Sequence, residues 1–311
     1  MASPPAKRQR TEDAPITRSE TWRSDGSVVL QAANTQFRVH WSVLALHSSV
    51  FSDMQGLPQP DDQPTVEGCP VVELPDDPQD IEYLLKALYS TTFHCQKTLP
   101  LAVVGAFIRL GRKYDFKDLF DSAVGRLTSQ WPMTLAEYDT RAGGSIASYP
   151  GWRCDAIALA SENNIMSILP HVYYRLVQSN TLDALFNKID RGDGTMAFLP
   201  PADLRRCVVG RENLLLKQLQ PEYTLGWLQN WTFDDCDDSE WCRAIQESLL
   251  KAFLDDNAIR ALEAPPSTLS NFCAACTRRI VESMDAGRKK IWEELPGFFE
   301  LPPWSELKND M

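Results

Sequence analysis

The length, composition and charge of the chain already limit what it can be. It has 311 residues, and a prior of roughly 150 residues per domain predicts two domains. A hydrophobic fraction of 43% is ample for packed cores, whereas a net charge of -11 argues against a protein built to bind nucleic-acid phosphates. Neither an apolar run of roughly 20 residues nor a secretory signal peptide is present. We therefore expect an intracellular protein with largely reduced cysteines and with no membrane or direct nucleic-acid partner.

The N-terminal segment, residues 1–19, is polar and contains almost no large apolar side chain. Such a segment cannot bury enough surface to offset the entropy lost on ordering, so we predict a disordered tail. Lys7, Arg8 and Arg10 form a short basic cluster within it. The cluster fits a nuclear-import signal or a solvated charged tail, and both interpretations stay open. The expected location is therefore the cytoplasm, the nucleus or both.

The most informative stretch covers residues 25–51. A β-branched run at 28–30 and a second short run at 37–39 are separated by small polar residues, which predicts a β-hairpin. Apolar residues from 41 to 51 then recur at helical spacing, which predicts a helix that follows the hairpin directly. Gly56 lies where this helix is expected to end.

This stretch resembles the start of a BTB/POZ domain. The resemblance is carried by the order and spacing of six residues: Asp25, Phe37, His40, Leu44, Ser48 and Phe51. A strand at 71–74 and helices at 81–88, 101–110 and 114–127 extend it, so that it covers residues 20–130. It implies an α/β fold in which a short β-sheet packs on helices. BTB domains are interaction modules, and the resemblance implies that the sheet edge and adjacent helices pair with another copy or with other proteins.

The chain changes character after this region. Pro132 and the pair Gly143-Gly144 predict a flexible linker over residues 131–151. From there on the apolar spacing is helical throughout, which predicts an all-α domain over residues 152–311. This half resembles the second half of BTB proteins from mushroom-forming fungi, on scattered Cys, Trp and Leu-Pro positions.

The last helix is predicted to be the longest. Ser267 follows two prolines and is a plausible N-cap, and Pro296-Gly297 is the expected end of the helix. The residues from Phe298 to Trp304 form an apolar tail. Because an exposed apolar tail would be adhesive, we expect it to fold back over the helices.

The pair Cys273-Ala-Ala-Cys276 fits half a zinc site, a redox pair or two core cysteines. A structural zinc needs four ligands, and the nearest further candidates are Cys236 and Cys242. A thioredoxin-like pair needs a βαβ context, whereas helices surround this motif. Both cysteines fall on the apolar stripe of the predicted helix, so we favour core packing and expect no metal and no cofactor. A metal site and a redox pair stay open as alternatives.

The histidines do not form a catalytic pattern. They are scattered along the chain, at His40, His47, His94 and His171. No GxSxG, HExxH, P-loop or GxGxxG motif is present, so we expect no catalytic residue and no enzyme. The resemblance implies that His40 makes hydrogen bonds inside the BTB core.

Three further motifs have ordinary structural interpretations. The tripeptide Arg191-Gly192-Asp193 predicts a tight turn rather than an adhesion site. The acidic run 234–240 lacks the Gly and the terminal Glu of an EF-hand, which favours a solvated loop over a calcium site. Trp227, Trp231 and Trp241 fit core anchors better than the lining of a partner groove.

The resemblance implies a non-enzymatic protein-interaction module whose helical domain contacts a second partner. A homodimer is one expected form. Two alternatives stay open, namely a substrate adaptor of a cullin-type ubiquitin ligase and a nuclear transcriptional co-regulator. Cullin-recruiting members often carry an apolar-x-Glu motif after the first helix. The candidate here is Glu67, and the residue two positions before it is Thr65.

Overall fold

The computed structural model describes residues 15–57, 63–141, 144–256 and 258–309. The chain divides after Val124 into an N-terminal unit and a helical C-terminal unit. The basic cluster Lys7, Arg8 and Arg10 and residue Gly143 lie outside the described residues. Within the described ranges, no helix combines the length and apolar character needed to cross a membrane.

The strands of the N-terminal unit form one mixed sheet. They are β1 (Thr17–Trp22), β2 (Val28–Ala32), β3 (Thr35–Val39), β4 (Thr65–Val66) and β5 (Cys69–Leu74). Their order is β1-β3-β2-β5-β4, with β2 antiparallel to β3 and parallel to β5. The predicted hairpin is thus confirmed. Strand β1 was not predicted, and Thr17, Arg18 and Ser19 belong to it rather than to a disordered tail.

Helices pack against this sheet. They are α1 (Trp41–His47), α2 (Ser49–Gln55), α3 (Pro78–Tyr89), α4 (Thr91–His94), α5 (Leu101–Tyr114) and α6 (Lys117–Gln130). Helix α3 begins before the predicted position 81, because the Asp77 side chain accepts a hydrogen bond from the N–H of Gln79 and Pro78 occupies the first turn. Asp115 adopts a left-handed conformation (φ 56°) and separates α5 from α6.

The single helix predicted over residues 41–51 is instead two helices. Ser48 is extended (φ -140°, ψ 121°) and ends α1, and its side chain caps α2 by accepting from the N–H of Phe51. The prediction failed here because apolar residues keep their helical spacing across the break. The extended residue Ser48 therefore separates α1 from α2.

The helical unit begins at Gly125. Its helices are α7 (Leu135–Thr140), α8 (Trp152–Glu162), α9 (Leu169–Ser179), α10 (Leu182–Phe186), α11 (Pro201–Lys217), α12 (Ser239–Asp256) and α13 (Ala274–Phe298). A small hairpin of β6 (Ile189–Asp190) and β7 (Met196–Ala197) interrupts them and was not predicted. Its turn contains Arg191-Gly192-Asp193, which confirms the predicted tight turn.

The predicted linker over residues 131–151 contains ordered elements. Helix α7 lies within it, and Trp131 and Ile146 are buried. Trp131 stacks on Trp152 with ring centroids 5.1 Å apart. The predicted domain boundaries stay predictions.

The last helix differs from its prediction at both ends. Residues 267–271 form a short 3-10 helix, and α13 starts only at Ala274 with Cys273 as its N-cap. Its far end passes through Pro296 and reaches Phe298. Pro296 lacks the N–H that would bond the Trp292 carbonyl, and the Trp304 indole donates to that carbonyl instead.

The apolar tail folds back on the helical unit, as the sequence predicts. Phe299 is fully buried, and its ring lies 5.3 Å from that of Tyr173 on α9. Trp304 stacks on Trp292 at 5.4 Å and donates a hydrogen bond to its carbonyl. The tail therefore completes the core of this unit.

We expect Gly287→Ala to destabilise the helical unit by about 2–3 kcal/mol. Gly287 lies on the buried face of α13, and an added Cβ would come within 2.3 Å of the backbone nitrogen of Thr224. Urea denaturation followed by circular dichroism measures the effect. Gly125→Ala is the matched control, because this exposed glycine of α6 has no atom within 4 Å of a built Cβ. It should leave stability unchanged or raise it by up to about 1 kcal/mol. Equal losses in the two variants would contradict the packing argument.

Candidate functional site

The residues that carry the resemblance have structural roles in the N-terminal unit. Phe37, Leu44 and Phe51 are core residues with at most 1% exposure. The Phe51 ring lies 5.2 Å from Tyr114 and 5.9 Å from Phe116, at the junction of α5 and α6. These side chains therefore hold the sheet, α1 and α2 against the helical layer.

His40 joins three segments at the start of α1. Its backbone N–H donates to the Tyr89 hydroxyl at 2.8 Å, and its Nδ1 lies 3.0 Å from the same oxygen. The hydroxyl already accepts one hydrogen bond and can donate to Nδ1, which places the ring proton on Nε2. Nε2 then donates to Asp25 at 3.2 Å, and this bond lowers the pKa of Asp25. The arrangement ties the turn before β2 to the end of α3, as the resemblance implied.

Ser48 links the break between α1 and α2 to α5. Its hydroxyl accepts from the N–H of Phe51 and donates to the Tyr114 carbonyl, although only 2% of the residue is exposed. The Tyr114 hydroxyl donates to Asp76 at 2.5 Å. Burial, together with this bond to Asp76, raises the pKa of Tyr114 well above its ordinary value. One chain of hydrogen bonds thus connects the α1–α2 break to the start of α3.

The outer edge of the sheet is strand β1. It pairs with β3 on one side, and no other strand of the described ranges pairs with its opposite side. Arg18 stacks over Trp22 at 4.3 Å and forms an ion pair with Glu67 at 2.7 Å. Because strand edges present unpaired backbone groups, this edge can accept a strand from another chain.

Exposed apolar side chains accompany this edge. Ile16, directly before β1, is 57% exposed, and Leu46 in the last turn of α1 is 77% exposed. Single exposed apolar residues are common, and these two belong to segments that adjoin β1 and β3 in the sequence. They are the apolar side chains that a partner at this edge could cover.

The geometry described so far is that of a known interaction fold. Residues 20–130 match the profile of the BTB/POZ domain family. The chain contains a BTB/POZ domain. The match confirms both the resemblance and the fold class, in which a small mixed sheet packs on helices and a helical region follows. BTB domains mediate protein–protein interactions, often dimerise and are generally non-enzymatic. Comparison with curated proteins finds no match.

Two of the remaining histidines differ in exposure. His47 is exposed at the end of α1, whereas His171 is fully buried on α9. The Arg141 guanidinium donates to Nε2 of His171 at 3.3 Å, which places the ring proton on Nδ1. Burial, with help from Arg141 and Arg175, lowers the pKa of His171 to about 3. This imidazole therefore stays neutral and acts as a packing group between Tyr138 and Trp292.

The four cysteines named in the sequence analysis come together. Sulfur atoms from two segments lie within 4.8 Å of one another, namely those of Cys236, Cys242, Cys273 and Cys276. Sequence spacing could not show this, because the two pairs are far apart in the chain. Cys273 is also not on the apolar stripe, since it precedes α13 as its N-cap. The backbone N–H groups of Cys276 and Asp237 lower the pKa of Cys273 to about 7.

The tryptophans near these cysteines have different environments. Trp227 is buried and meets Trp231 and Phe272 edge to face, at 6.3 Å and 5.8 Å. The core-anchor interpretation is thus confirmed for Trp227. It is wrong for Trp241, which is 60% exposed on the first turn of α12.

We expect Ser48→Ala to destabilise the BTB domain by about 1–3 kcal/mol. The substitution removes the N-cap of α2 and leaves the buried Tyr114 carbonyl without its hydroxyl donor. Thermal or urea unfolding measures the loss. Ser52→Ala is the control, since Ser52 is exposed in the same helix. A loss equal to that of Ser52→Ala would show that the Ser48 hydroxyl does not hold the break.

The pKa of His171 predicts a pH dependence of stability. As pH falls below about 6.5, His171 becomes protonated in the unfolded chain, whereas in the folded chain it stays neutral until about pH 3. The unfolded state therefore binds more protons over this range, and lowering the pH favours unfolding. We expect His171→Gln to lose less stability between pH 7 and pH 4 than the wild type. Denaturant midpoints across this range provide the comparison. An unchanged slope in His171→Gln would refute the assignment.

Proposed function

We propose that this chain is a non-enzymatic interaction protein whose BTB domain pairs with a second copy of itself. The observation that carries the proposal is the open edge of β1 at the border of a BTB sheet. An edge strand gains backbone hydrogen bonds when another strand aligns with it. A second copy presents the same edge, and a two-fold arrangement satisfies both edges at once.

The composition of the edge supports a protein partner rather than a small ligand. Arg18 and Glu20 carry opposite charges on β1. When the β1 strands of two copies align antiparallel, Arg18 of one copy can lie near Glu20 of the other. Ile16 and Leu46 add exposed apolar area beside the edge. Such a mixed surface, with apolar contacts and a polar rim, is typical of reversible protein interfaces.

The cullin-adaptor alternative gains no support from Glu67. This residue lies in the β4–β5 turn with a positive φ of 50°. Its carboxylate forms ion pairs with Arg18 at 2.7 Å and with Arg38 at 2.8 Å. A side chain held in this way braces β1 and β3 against the turn. The co-regulator alternative rests on the basic cluster, which lies outside the described residues.

The helical unit offers surfaces for a further partner. Its exposed large apolar side chains are Phe186, Met196, Phe198, Leu216, Trp241 and Leu254. Phe186 precedes β6, and Phe198 follows β7, so the small hairpin brings them to the same region of the chain. Two apolar rings at one hairpin support a contact between this unit and a second protein.

Self-association is measured by light scattering of the full chain across a dilution series under reducing conditions. We expect a dimer that dissociates on dilution. Ile16→Asp and Leu46→Asp should each raise the dissociation constant about tenfold or more, because each places a charge at the proposed contact. Leu254→Asp is the matched control in the helical unit, with 55% exposure of the native side chain. It should leave the dimer intact.

A wild-type chain that is monomeric at every concentration would remove the second copy as the occupant of the edge. A dimer that Leu254→Asp disrupts while Ile16→Asp and Leu46→Asp do not would place the contact in the helical unit. Circular dichroism of each variant establishes that folding is retained, as expected for exposed positions.

A further inference from the structure

Four cysteine sulfurs converge at the edge of the helical-unit core. They belong to Cys236, Cys242, Cys273 and Cys276, which together form the four-cysteine cluster. All four Sγ atoms lie within 4.8 Å of one another, and those of Cys236 and Cys273 are 3.7 Å apart. Four sulfurs bound to one tetrahedral zinc at about 2.3 Å are separated by about 3.8 Å. The cluster therefore has nearly the dimensions that a single ion would set.

The local structure explains how two distant segments supply these ligands. Cys273 caps α13, and the two-residue spacing brings Cys276 into the first turn beside it. Cys242 lies in the first turn of α12, and Cys236 lies in the loop that leads into that helix. Each segment thus contributes two cysteines, spaced C-x2-C and C-x5-C. Paired cysteines from two segments are typical of structural zinc sites.

Backbone groups around the cluster favour negative charge on sulfur. The N–H of Cys276 donates to the sulfur of Cys273, and the N–H of Cys273 donates to the sulfur of Cys242, each at 3.4 Å. The positive ends of the α12 and α13 dipoles also lie here. Four thiolates around a divalent cation carry a net charge of -2, and these groups offset it.

The charged side chains nearby are arranged consistently with such a site. The acids of the 234–240 loop are exposed to solvent, and Asp238 accepts from the N–H of Trp241. On the other side, the Arg279 guanidinium donates to the Asp234 carbonyl at 2.6 Å, and Arg243 lies over Phe233. Cations therefore flank the loop, while its carboxylates face water.

Core packing does not account for all four sulfurs. It fits Cys154 and Cys207, which are buried and whose pKa values burial raises. Within the cluster, Cys242 and Cys276 are fully buried, but Cys236 and Cys273 are only partly buried. Those two cysteines also pack against the apolar core, yet packing alone does not require all four sulfurs to lie within 4.8 Å of one another. Their positions are explained by a ligand that binds all four sulfurs.

We propose that the four-cysteine cluster is a structural Zn²⁺ site. With four protein ligands it has no open coordination position, so its role is to hold α12, the preceding loop and the start of α13 together. The apolar cluster of Trp227, Leu228, Phe253 and Phe272 packs beside it. Zinc would thus complete a part of the core that contains little regular structure between residues 226 and 238.

Metal content of the full chain tests the proposal. The protein is produced in zinc-supplemented medium with an affinity tag that lacks histidine and is purified under reducing conditions. Its zinc content is then measured by elemental mass spectrometry. We expect one zinc ion per chain. After chelation, titration with Co²⁺ should produce the visible bands of tetrahedral cobalt and the near-ultraviolet thiolate-to-cobalt transition.

Variants separate a ligand role from a packing role. Cys236→Ser, at a partly exposed loop position, should remain folded but lose the zinc and the cobalt–thiolate transition. Cys276→Ser should lose both as well. Cys95→Ser and Cys207→Ser are the controls, one exposed and one buried, and each should keep one zinc per chain. Removing zinc should lower the melting temperature of the wild type but not that of Cys236→Ser.

Three results would overturn the proposal. One is a folded chain with titratable thiols at all four positions that binds neither Zn²⁺ nor Co²⁺. Another is a disulfide between Cys236 and Cys273 in the chain isolated without reductant, together with no metal. Zinc that Cys95→Ser loses as readily as Cys236→Ser would also place the metal elsewhere.

Discussion

The pairing of strand β2 on both sides constrains most of the N-terminal unit. Its antiparallel pairing with β3 is local and needs only a short turn, whereas its parallel pairing with β5 requires the chain to cross over before it returns. Helices α1 and α2 form that crossover, and the extended residue Ser48 lets them bend between the two strands. The same arrangement places β1 at the border of the sheet, so the open edge follows from the position of β2.

The helical unit is organised by contacts at α13 rather than by a sheet. The middle of this helix approaches the 223–224 backbone so closely that Gly287 has no room for a side chain. Its N-cap and its first turn each carry one of the cluster cysteines, and its last turn leads into the buried apolar tail. Both ends of one long helix are thus fixed by side chains from other parts of the unit.

The sequence predicted those elements whose signals are local. The β2–β3 hairpin and the turn at Arg191 both follow from residue types within a few positions. Strand β1 was not predicted, because Thr, Arg, Ser and Glu make up most of it and give no apolar strand pattern. An edge strand tolerates this composition. The sequence favoured Ser267, which follows two prolines, as the N-cap of the last helix. In the structure residues 267–271 form a short 3-10 helix, and Cys273 is the N-cap.

The candidate sites show the same division between local and distant information. The six residues that carry the BTB resemblance all lie within residues 25–51, so the pattern they form is local. By contrast, the C-x5-C pair ends at Cys242, and the C-x2-C pair begins at Cys273, 31 residues later. Only the tertiary fold brings the two pairs together. The two cysteine pairs were visible in the sequence. Core packing was favoured because the last helix was predicted to start at Ser267, which placed both Cys273 and Cys276 on its apolar stripe.

The aromatic tail has a consequence for the order in which the chain can fold during translation. Asn309 accepts a hydrogen bond from the N–H of Ser167, a contact that spans 142 residues. The first unit, in contrast, consists of residues up to Val124. The BTB domain can therefore fold while the ribosome is still adding helices, whereas the helical unit must wait for its tail. During that interval Tyr173 and Gly210 lack the cover of Phe299, and a chaperone that shields apolar surface would find them there.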